Sequence, residues 1–356
     1  GDLYAELLIP RARHIEVQVV GDGTGTVSHL WERECSIQRR YQKVVEIAPS
    51  AGLPGGLRQR ILTAAVRMAE AANYDNIGTF EFLVDARSLT DESFFAFIET
   101  NPRLQVEHTV TEEVLAIDLV RVQFELAAGK SLSQLGLLQA SVPTPRGFAL
   151  QARVNMETLD RDGNTRPSGG VLTAFETPSG PGFRTDTFGY AGYRTSPRYD
   201  SLLAKVIVHT PSERFEDVVS KAYRALRETR IEGVQTNIPF LQNLMRHPAF
   251  IAGEVYTRFV DDHIAELVDA EGTEHQPLYF AKPAEGTKLP EIGFAGARLQ
   301  TNDPLAVLEF GRIRRESATA KESSDSGPEA PEGQVVVPAP MQGTIVQVDV
   351  QEGDTV

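Results

Sequence analysis

The sequence contains a single cysteine, Cys35, among its 356 residues. No disulfide can form within the chain, and a reducing, cytoplasmic compartment is expected. The sequence also lacks a recognisable secretory signal and any apolar run long enough for a membrane-spanning helix, so a membrane protein is not predicted. Positive charge is scarce as well. The 35 Lys and Arg residues face 49 Asp and Glu, and the net charge of −14 argues against nucleic acid or an anionic membrane as a partner.

The remaining composition is that of an ordinary globular protein, with 41% hydrophobic and 24% charged residues. A chain of 356 residues is long enough for two or three domains, and the mixture of strand and helix patterns favours an α+β fold. The chain begins at Gly1 rather than at methionine, and its last residues come just after a predicted strand. We therefore expect both ends to be cuts within a longer protein.

The most informative stretch is 94–108, where an apolar strand leads into polar residues at every second position. Side chains alternate between two faces in extended backbone. We therefore expect five of these polar side chains to project to one side: Glu99, Asn101, Arg103, Gln105 and Glu107. The alternative for such a row is an ion-pair ladder on a solvated strand face, but the strong apolarity of the preceding strand favours a buried position.

Each of these side chains suits a particular chemical task. Glu99 would be costly to bury as an unpaired carboxylate, and a hard cation could satisfy it with Asn101 as a second oxygen ligand. Arg103 offers a planar donor fork for a small oxyanion, to which Gln105 can also donate. Glu107 is placed to act nearby as an acid or a base.

A second buried acid points to the same place. Glu81 lies between two phenylalanines in the predicted strand 78–84, and the strand that ends at Glu99 follows after a polar connection. The two strands are expected to pair as a hairpin, which sets Glu81 beside Glu99. Neighbouring carboxylates repel each other unless a divalent metal or a proton intervenes. This pair is the sharpest metal signal in the sequence.

The stretch 32–43 is dense in charge and leaves two interpretations open. One is a solvated loop, which is the usual fate of such a run. The other is a basic lobe for phosphate or another small anion. The strand pattern of 44–47 favours the second, because it places Lys43 at the edge of a strand.

The other elements follow from periodicity and turn residues. We predict a hairpin of strands 14–20 and 26–31, helices over 54–73 and 111–128, and a strand over 148–155. The stretch 167–199, rich in Gly, Pro, Ser and Tyr, predicts a small β-barrel or sheet. Further along, 317–333 reads as a disordered linker, and 335–356 alternates like the opening strands of a separate all-β module.

Three of these stretches carry a family resemblance. The segments 32–46, 78–83 and 99–108 resemble biotin carboxylase, the ATP-grasp component of acetyl-CoA, propionyl-CoA and pyruvate carboxylases, and the likeness extends to about residue 267. The segment 339–354 is similar to the start of a biotin carboxyl carrier domain. The resemblance implies four parts: an ATP-grasp portion without its N-terminal half and lid over 1–130, a biotin carboxylase C-terminal subdomain over 131–268, a connector and linker over 269–334, and a truncated biotinyl domain over 335–356.

The resemblance also implies a reaction. Biotin carboxylases use ATP and bicarbonate to carboxylate biotin through carboxyphosphate, as one part of an acyl-CoA or pyruvate carboxylase. The implied cofactors are ATP, Mg²⁺ or Mn²⁺, and biotin carried on a lysine outside this chain. The implied partners are bicarbonate, the biotin carrier domain, a carboxyltransferase domain or subunit, and further copies in a homo-oligomer. Because the lid is missing, the chain alone is expected to be inactive.

The resemblance also assigns roles to residues of this sequence that stand at functional positions of the family. Glu81, Glu99 and Asn101 match the metal ligands. The residues that match the bicarbonate site are Lys43, Arg103, Gln105 and Val106, and Glu107 matches the base. Arg153 matches a basic residue at the biotin enolate. The nucleotide positions match Glu6, Leu7, Ile9, His14, Gln38, Tyr41, Glu81 and Glu99. Tyr41 departs from the family, since many members have histidine there.

Two rival interpretations remain beside this one. The chain could belong to another ATP-grasp ligase of the carbamoyl-phosphate type, although the string Arg-Leu-Gln-Val-Glu-His at 103–108 argues against it. It could also be a non-catalytic module that only mediates dimer contacts.

Overall fold

The computed structural model describes residues 7–196, 200–268 and 275–279. The predicted carrier-domain segment 335–356 lies outside the described residues. So does the predicted connector and linker over 269–334, apart from 275–279, and so does Glu6. The folded part described here therefore corresponds to the two predicted carboxylase portions.

Twelve strands and nine helices occur in these ranges. The strands are β1 Ala12–Asp22, β2 Val27–Arg39, β3 Gln42–Ala48, β4 Asp75–Asp85, β5 Phe95–Asn101, β6 Phe148–Asn155, β7 Glu157–Leu159, β8 Thr165–Pro167, β9 Ala174–Glu176, β10 Phe183–Thr187, β11 Leu202–Thr210 and β12 Arg230–Glu232. The helices are α1 Gly55–Ala71, α2 His108–Leu115, α3 Leu119–Ala127, α4 Leu132–Leu135, α5 Phe215–Glu228, α6 Ile238–Arg246, α7 Pro248–Ile251, α8 Phe259–Asp262 and α9 Ile264–Val268. No helix in the described ranges is long and apolar enough to cross a membrane.

Eight strands form one antiparallel sheet in the order β10-β11-β6-β3-β2-β1-β4-β5. The sheet continues across the predicted boundary at 130, since β6, β10 and β11 come from the C-terminal portion. The predicted hairpin at 14–31 is confirmed as β1 and β2, and the predicted strand over 148–155 is confirmed as β6. The centre of the sheet therefore joins both portions of the chain.

The two faces of the sheet are covered differently. Apolar side chains of β1 and β4 pack on α1 on one face, and those of β3, β6 and β11 pack on α5 and α6 on that same face. The alternate residues of these strands point to the opposite face, where α2 covers only part of the sheet. Two polar side chains of the central strands, Arg33 and Gln151, contact α2 on this second face through Thr111 and Thr109.

The prediction that the strand beginning near Phe94 is buried is wrong. β5 is the edge strand of the sheet, and Phe97 and Ile98 are 46% and 44% exposed. The predicted extended backbone also ends at Asn101, after which 102–107 form a bend and turn that lead into α2. Gln105 and Glu107 are therefore brought to the site by a turn, not by strand alternation.

The predicted helix over 111–128 is two helices. Ala116 adopts a left-handed conformation with φ of 55° and ends α2, and the Asp118 side chain then accepts a hydrogen bond from the Arg121 backbone N–H to begin α3. α2 begins at His108, three residues before the predicted start. The break lets α2 remain short enough to lie across the sheet beside the polar face.

Two further expectations are corrected. The charged stretch 32–43 is not a loop, because β2 continues to Arg39 and a two-residue turn at Arg40 and Tyr41 leads directly into β3. The stretch 167–199 does not form a separate barrel in its described part. It supplies β10 to the main sheet and β9 to a two-stranded sheet with β12.

We predict that Phe82→Ala destabilises the protein by about 3–5 kcal/mol, since Phe82 is 1% exposed and contacts the rings of Phe95 and Phe97 across the β4–β5 pair. Phe124→Ala is the matched control, because Phe124 is 71% exposed and its removal should change stability by less than about 0.5 kcal/mol. Urea unfolding of both variants measures the difference. Similar losses in the two variants would contradict the assigned core.

Candidate active site

Three glutamates form a row across three adjacent strands. Glu16 of β1 pairs in register with Glu81 of β4, and Glu81 pairs with Glu99 of β5. The side chains of Glu16 and Glu81 are buried. Like charges directly opposite each other in a sheet are destabilising, so this row requires compensating positive charge or donors between its members. The predicted pairing of Glu81 and Glu99 is confirmed.

Lys43 supplies the compensation on one side of the row. Its Nζ lies 2.6 Å from Glu16 Oε2 and 3.3 Å from Glu81 Oε1, and it also lies 2.5 Å from Glu107 Oε1. Lys43 stands at the beginning of β3 and is largely buried. One ammonium group therefore contacts three carboxylates from two strands and the turn before α2.

Asn101 lies on the other side of the row. Its Nδ2 donates to Glu81 Oε1 and to Glu99 Oε1, at 2.9 Å each. The two carboxylates therefore converge on one point, and a half-turn of the amide would present its oxygen there. Two carboxylates and an amide oxygen are a donor set that fits a hard cation such as Mg²⁺ or Mn²⁺. The structure thus brings the three predicted metal ligands together.

Glu107 is held by two cations from different strands. Besides Lys43, Arg153 of β6 approaches it, with Nη2 at 3.2 Å from Glu107 Oε2. Arg153 is itself oriented by Glu46 of β3, which accepts from its Nε at 2.6 Å. Glu107 is 2% exposed, and a carboxylate at that depth requires such partners. Its position is therefore fixed by contacts with β3 and β6.

His14 and Gln38 form a neighbouring pair. His14 Nε2 lies 2.6 Å from Glu81 Oε2, and its Nδ1 lies 2.7 Å from Gln38 Nε2. Gln38 also donates to the Cys35 carbonyl at 2.8 Å, which fixes its amide. Both side chains are buried and line the same cavity as Glu81, so these two predicted nucleotide positions lie beside the glutamate row.

A buried arginine ties the row to α2. Arg33 is completely buried, and its Nε lies 2.5 Å from Glu16 Oε1. The same guanidinium donates to Gln18 Oε1 at 2.8 Å and to Thr111 Oγ1 of α2 at 3.0 Å. Gln105 in turn donates to Glu81 Oε1 at 2.7 Å. The turn before α2 is therefore anchored directly on the glutamate row.

Arg103 differs from the other cations of the site. Within the described ranges its guanidinium donates to the Leu104 carbonyl at 3.2 Å and to Asn101 Oδ1 at 3.5 Å, and the side chain is exposed. Among the cavity-lining residues that the structure describes, it is the cationic side chain without a carboxylate partner. Beside it, the Val106 carbonyl accepts from Lys205 Nζ at 3.0 Å. Arg103 therefore remains available to an incoming anion.

These groups surround a cavity of about 1130 Å³, a size suited to a small-molecule ligand. The cavity is lined by nearly all the predicted site residues that the structure describes: His14, Gln38, Tyr41, Lys43, Glu81, Glu99, Asn101, Arg103, Gln105, Val106, Glu107 and Arg153. Tyr41 is 97% exposed in the β2–β3 turn. Leu7 and Ile9 are described but do not line the cavity, so their role at the nucleotide stays a prediction.

Neighbouring positive charges and donors lower the pKa of two acids of the row, Glu16 and Glu81. Burial by itself would raise the pKa of Glu16, but Arg33 and Lys43 outweigh it and lower the pKa to about 2. Burial would likewise raise the pKa of Glu81, yet the contact with His14 and the charge of Lys43 lower it to about 2. Burial opposes the charge of Lys43, but Glu16 and the neighbouring acids raise its pKa above its ordinary value. Glu16 and Glu81 are therefore ionised at neutral pH.

Four residues that matter to this site were not predicted: Glu16, Arg33, Glu46 and Lys205. A signal for Glu16 exists in the sequence, since His14, Glu16 and Gln18 alternate within a strand whose other residues are apolar. Glu46 similarly interrupts an apolar strand. Arg33 and Lys205 carry no local signal, because their partners come from distant parts of the chain.

Two family models match the chain. One, described as "Carbamoyl-phosphate synthase L chain, ATP binding domain", matches residues 1–135, and the other, described as "Biotin carboxylase C-terminal domain", matches residues 151–262. Together they cover more than half of the chain, and the second separates the biotin carboxylases from other ATP-grasp ligases. The chain belongs to the biotin carboxylase family. Its fold is the mixed α/β ATP-grasp fold of that family, built on an antiparallel sheet.

Relatives and solved structures agree with this biotin carboxylase assignment. Pyruvate carboxylase of Pichia angusta is 49% identical over 283 residues, which is 79% of this chain and 23% of the relative. The biotin carboxylase domain of a single-chain bacterial carboxylase is 48% identical with a TM-score of 0.68, covering 75% of this chain and 59% of that one. The biotin carboxylase domain of Hydrogenobacter thermophilus 2-oxoglutarate carboxylase, solved with MgADP and bicarbonate, is 38% identical with a TM-score of 0.67, covering 74% and 55%. The chain spans about a quarter of the length of the curated relatives it matches.

The glutamate row is expected to make the protein less stable as the pH falls into the acid range. Because the folded pKa of Glu16 is lowered to about 2 from an ordinary 4.5, its contribution is present above about pH 4.5 and is lost as the pH falls toward 2. The free energy of unfolding should drop by an amount on the order of 3 kcal/mol over this window. Glu16→Gln should flatten that part of the profile, measured by urea unfolding from pH 2 to 6, and Glu81→Gln should do the same. Parallel profiles for wild type and both variants would contradict the assigned charge pairing.

Proposed function

We propose that this chain carries the centre that carboxylates biotin, with ATP as the energy source and bicarbonate as the source of carbon. The observation that carries the proposal is that one cavity is lined both by Arg103, a guanidinium without a carboxylate partner among the described residues, and by Glu107, a buried carboxylate. An anion-binding group beside an acid–base group is what activation of bicarbonate requires. Bicarbonate bound to the related 2-oxoglutarate carboxylase domain supports the choice of anion.

In the proposed reaction, bicarbonate binds between Arg103 and Lys43, with Gln105 and the backbone of Val106 completing its site. Glu107 takes the bicarbonate proton, and a bicarbonate oxygen then attacks the γ-phosphorus of ATP. The bond from that phosphorus to the ADP oxygen breaks, which gives carboxyphosphate and ADP. Because Glu107 contacts Lys43 and Arg153, it is positioned before the substrate arrives and need not reorganise.

Carboxyphosphate then breaks the bond between its carboxyl carbon and the bridging oxygen, which gives carbon dioxide and phosphate. The phosphate takes the proton from N1 of biotin, and the N1 anion attacks carbon dioxide to form the new N–C bond. Arg153 is the group in this chain that would stabilise the negative charge that develops on the biotin ring. Its Nε is occupied by Glu46 at 2.6 Å, which fixes the plane of the guanidinium toward the cavity.

Glu81, Glu99 and Asn101 would hold Mg²⁺ or Mn²⁺. Such an ion, when bound, neutralises charge on the phosphates of ATP. His14, Gln38 and Tyr41 would contact the nucleotide, with Glu6, Leu7 and Ile9 proposed at the adenine. The MgADP complex of the related domain supports this nucleotide and this metal.

The wider assembly is also proposed. The chain covers about a quarter of the pyruvate carboxylase of Pichia angusta, which supports a biotin carrier domain and a carboxyltransferase outside this chain. The dimer of the related 2-oxoglutarate carboxylase domain supports a homo-oligomer. The alternative of a non-catalytic dimerisation module is less well supported, because a complete set of acid, cations and metal-ligand candidates converges within the described residues of one chain.

We predict that Glu107→Gln, in the full-length protein that contains this chain, lowers biotin-dependent and bicarbonate-dependent ATP hydrolysis by roughly a hundred-fold or more, the usual scale for a positioned base. ATP affinity should change little, because Lys43 keeps Glu16 and Glu81 as partners. Steady-state kinetics and nucleotide titration measure the two effects separately.

Glu113→Gln is the matched control. Glu113 follows in α2 and is largely buried, but it contacts Arg184 rather than the cavity cations, so the variant should retain most of the activity. Full activity of Glu107→Gln would remove Glu107 from the role of base. ATP hydrolysis that depends on ammonia or glutamine instead of biotin would favour the carbamoyl-phosphate alternative.

A further inference from the structure

A second cluster of potential metal ligands lies away from the cavity. It consists of His247, His263 and Glu266, none of which lines the cavity. His247 follows α6 and immediately precedes α7, His263 lies between α8 and α9, and Glu266 lies within α9. One candidate ligand atom from each residue falls within 4.8 Å of the other two. The cluster therefore joins the ends of helices that are separate in sequence.

The distances within this cluster suit a nitrogen- and oxygen-bound cation. His247 Nε2 lies 3.1 Å from Glu266 Oε2, and His263 Nδ1 lies 3.6 Å from Glu266 Oε1. Two ligands at tetrahedral angles around Zn²⁺, with bonds of about 2.0–2.2 Å, are about 3.4 Å apart. The observed separations bracket that value, so little movement would be needed to bind the ion.

An unsatisfied ring nitrogen points to a missing partner. Nδ1 of His263 is buried without a hydrogen-bond partner among the described residues, while His247, whose side chain is about nine-tenths buried, presents its Nε2 to Glu266. The Nδ1 of His263 faces Glu266 at a distance too long for a hydrogen bond. A buried polar atom without a partner is costly, and a metal ion would satisfy this one.

The surrounding packing fixes the two rings in place. Their centroids are 4.5 Å apart, and both contact Phe259, at 5.2 Å for His247 and 4.7 Å for His263. Phe259 is fully buried in the core beneath them. Glu266 is exposed, so the third ligand faces solvent and leaves a path for the ion. An ordered pair of imidazoles with one accessible carboxylate is thus already assembled.

We propose that His247, His263 and Glu266 form a metal site for Zn²⁺ or a similar divalent transition ion. Two imidazoles and one carboxylate favour such an ion over Mg²⁺, which prefers oxygen ligands. Three protein ligands leave a position for water or a further ligand. Binding would hold α9 against the end of α6 and stabilise this helix, the last in the part of the chain that the structure describes.

The test uses the complete chain, freed of metal with a chelator and kept in excess Mg²⁺ so that the oxygen-rich site of Glu81 and Glu99 is occupied. Titration with Co²⁺ should give one equivalent of visible absorption typical of nitrogen and oxygen ligation, and Zn²⁺ should displace it. Zn²⁺ should also raise the melting temperature. Glu266→Gln should weaken Zn²⁺ binding at least about tenfold. This substitution should leave the fold intact because Glu266 is 67% exposed.

Two control variants locate the ion. Glu81→Gln makes the same change in the other cluster of histidine and glutamate, and His209→Ala removes a histidine outside both clusters. Both should keep the Zn²⁺ affinity of the wild type. The proposal is overturned if the wild type shows no Zn²⁺ binding above Mg²⁺, if Glu266→Gln binds as tightly as the wild type, or if Glu81→Gln loses the binding instead. If the wild type shows no such Zn²⁺ binding, the cluster is an ordinary contact of His247 and His263 with Glu266.

Discussion

The row formed by Glu16, Glu81 and Glu99 is the constraint on which the rest of this site depends. Register across β1, β4 and β5 places like charges opposite one another, two of them buried, and such a row is unstable by itself. Lys43 on one side and the Asn101 amide on the other resolve the repulsion. Lys43 also contacts Glu107, and Asn101 joins the two carboxylates of the proposed metal site.

The cations of the site differ in how they are paired before substrate arrives. Lys43 and Arg153 already contact buried carboxylates, so they orient Glu107 as well as facing the proposed bicarbonate and biotin. Arg103 has no such pairing among the described residues and remains available to substrate. A site whose cations were all paired would bind an anion poorly, whereas one whose cations were all free would repel itself when empty. The division between paired and free cations resolves both difficulties.

Local sequence patterns predicted part of this arrangement. The hairpin that sets Glu81 beside Glu99 follows from two apolar strands joined by a polar connection, although a register shift between Glu81 and Phe82 interrupts their pairing. The turn at 102–107 could not be predicted in this way, because it is held by Gln105 on Glu81 and by Lys205 on the Val106 carbonyl. The exposure of β5 likewise follows from its place at the sheet edge, which only the topology decides.

The coupling between Lys43 and Glu16 tests this account most directly. A double-mutant cycle of Lys43→Met and Glu16→Gln, followed by urea unfolding at neutral pH, measures it. Each single variant leaves a buried charge short of a partner. We therefore expect the double variant to lose less free energy of unfolding than the two single losses added together, by at least about 1 kcal/mol. Losses that add to within about 0.5 kcal/mol would show that Lys43 does not hold the glutamate row together.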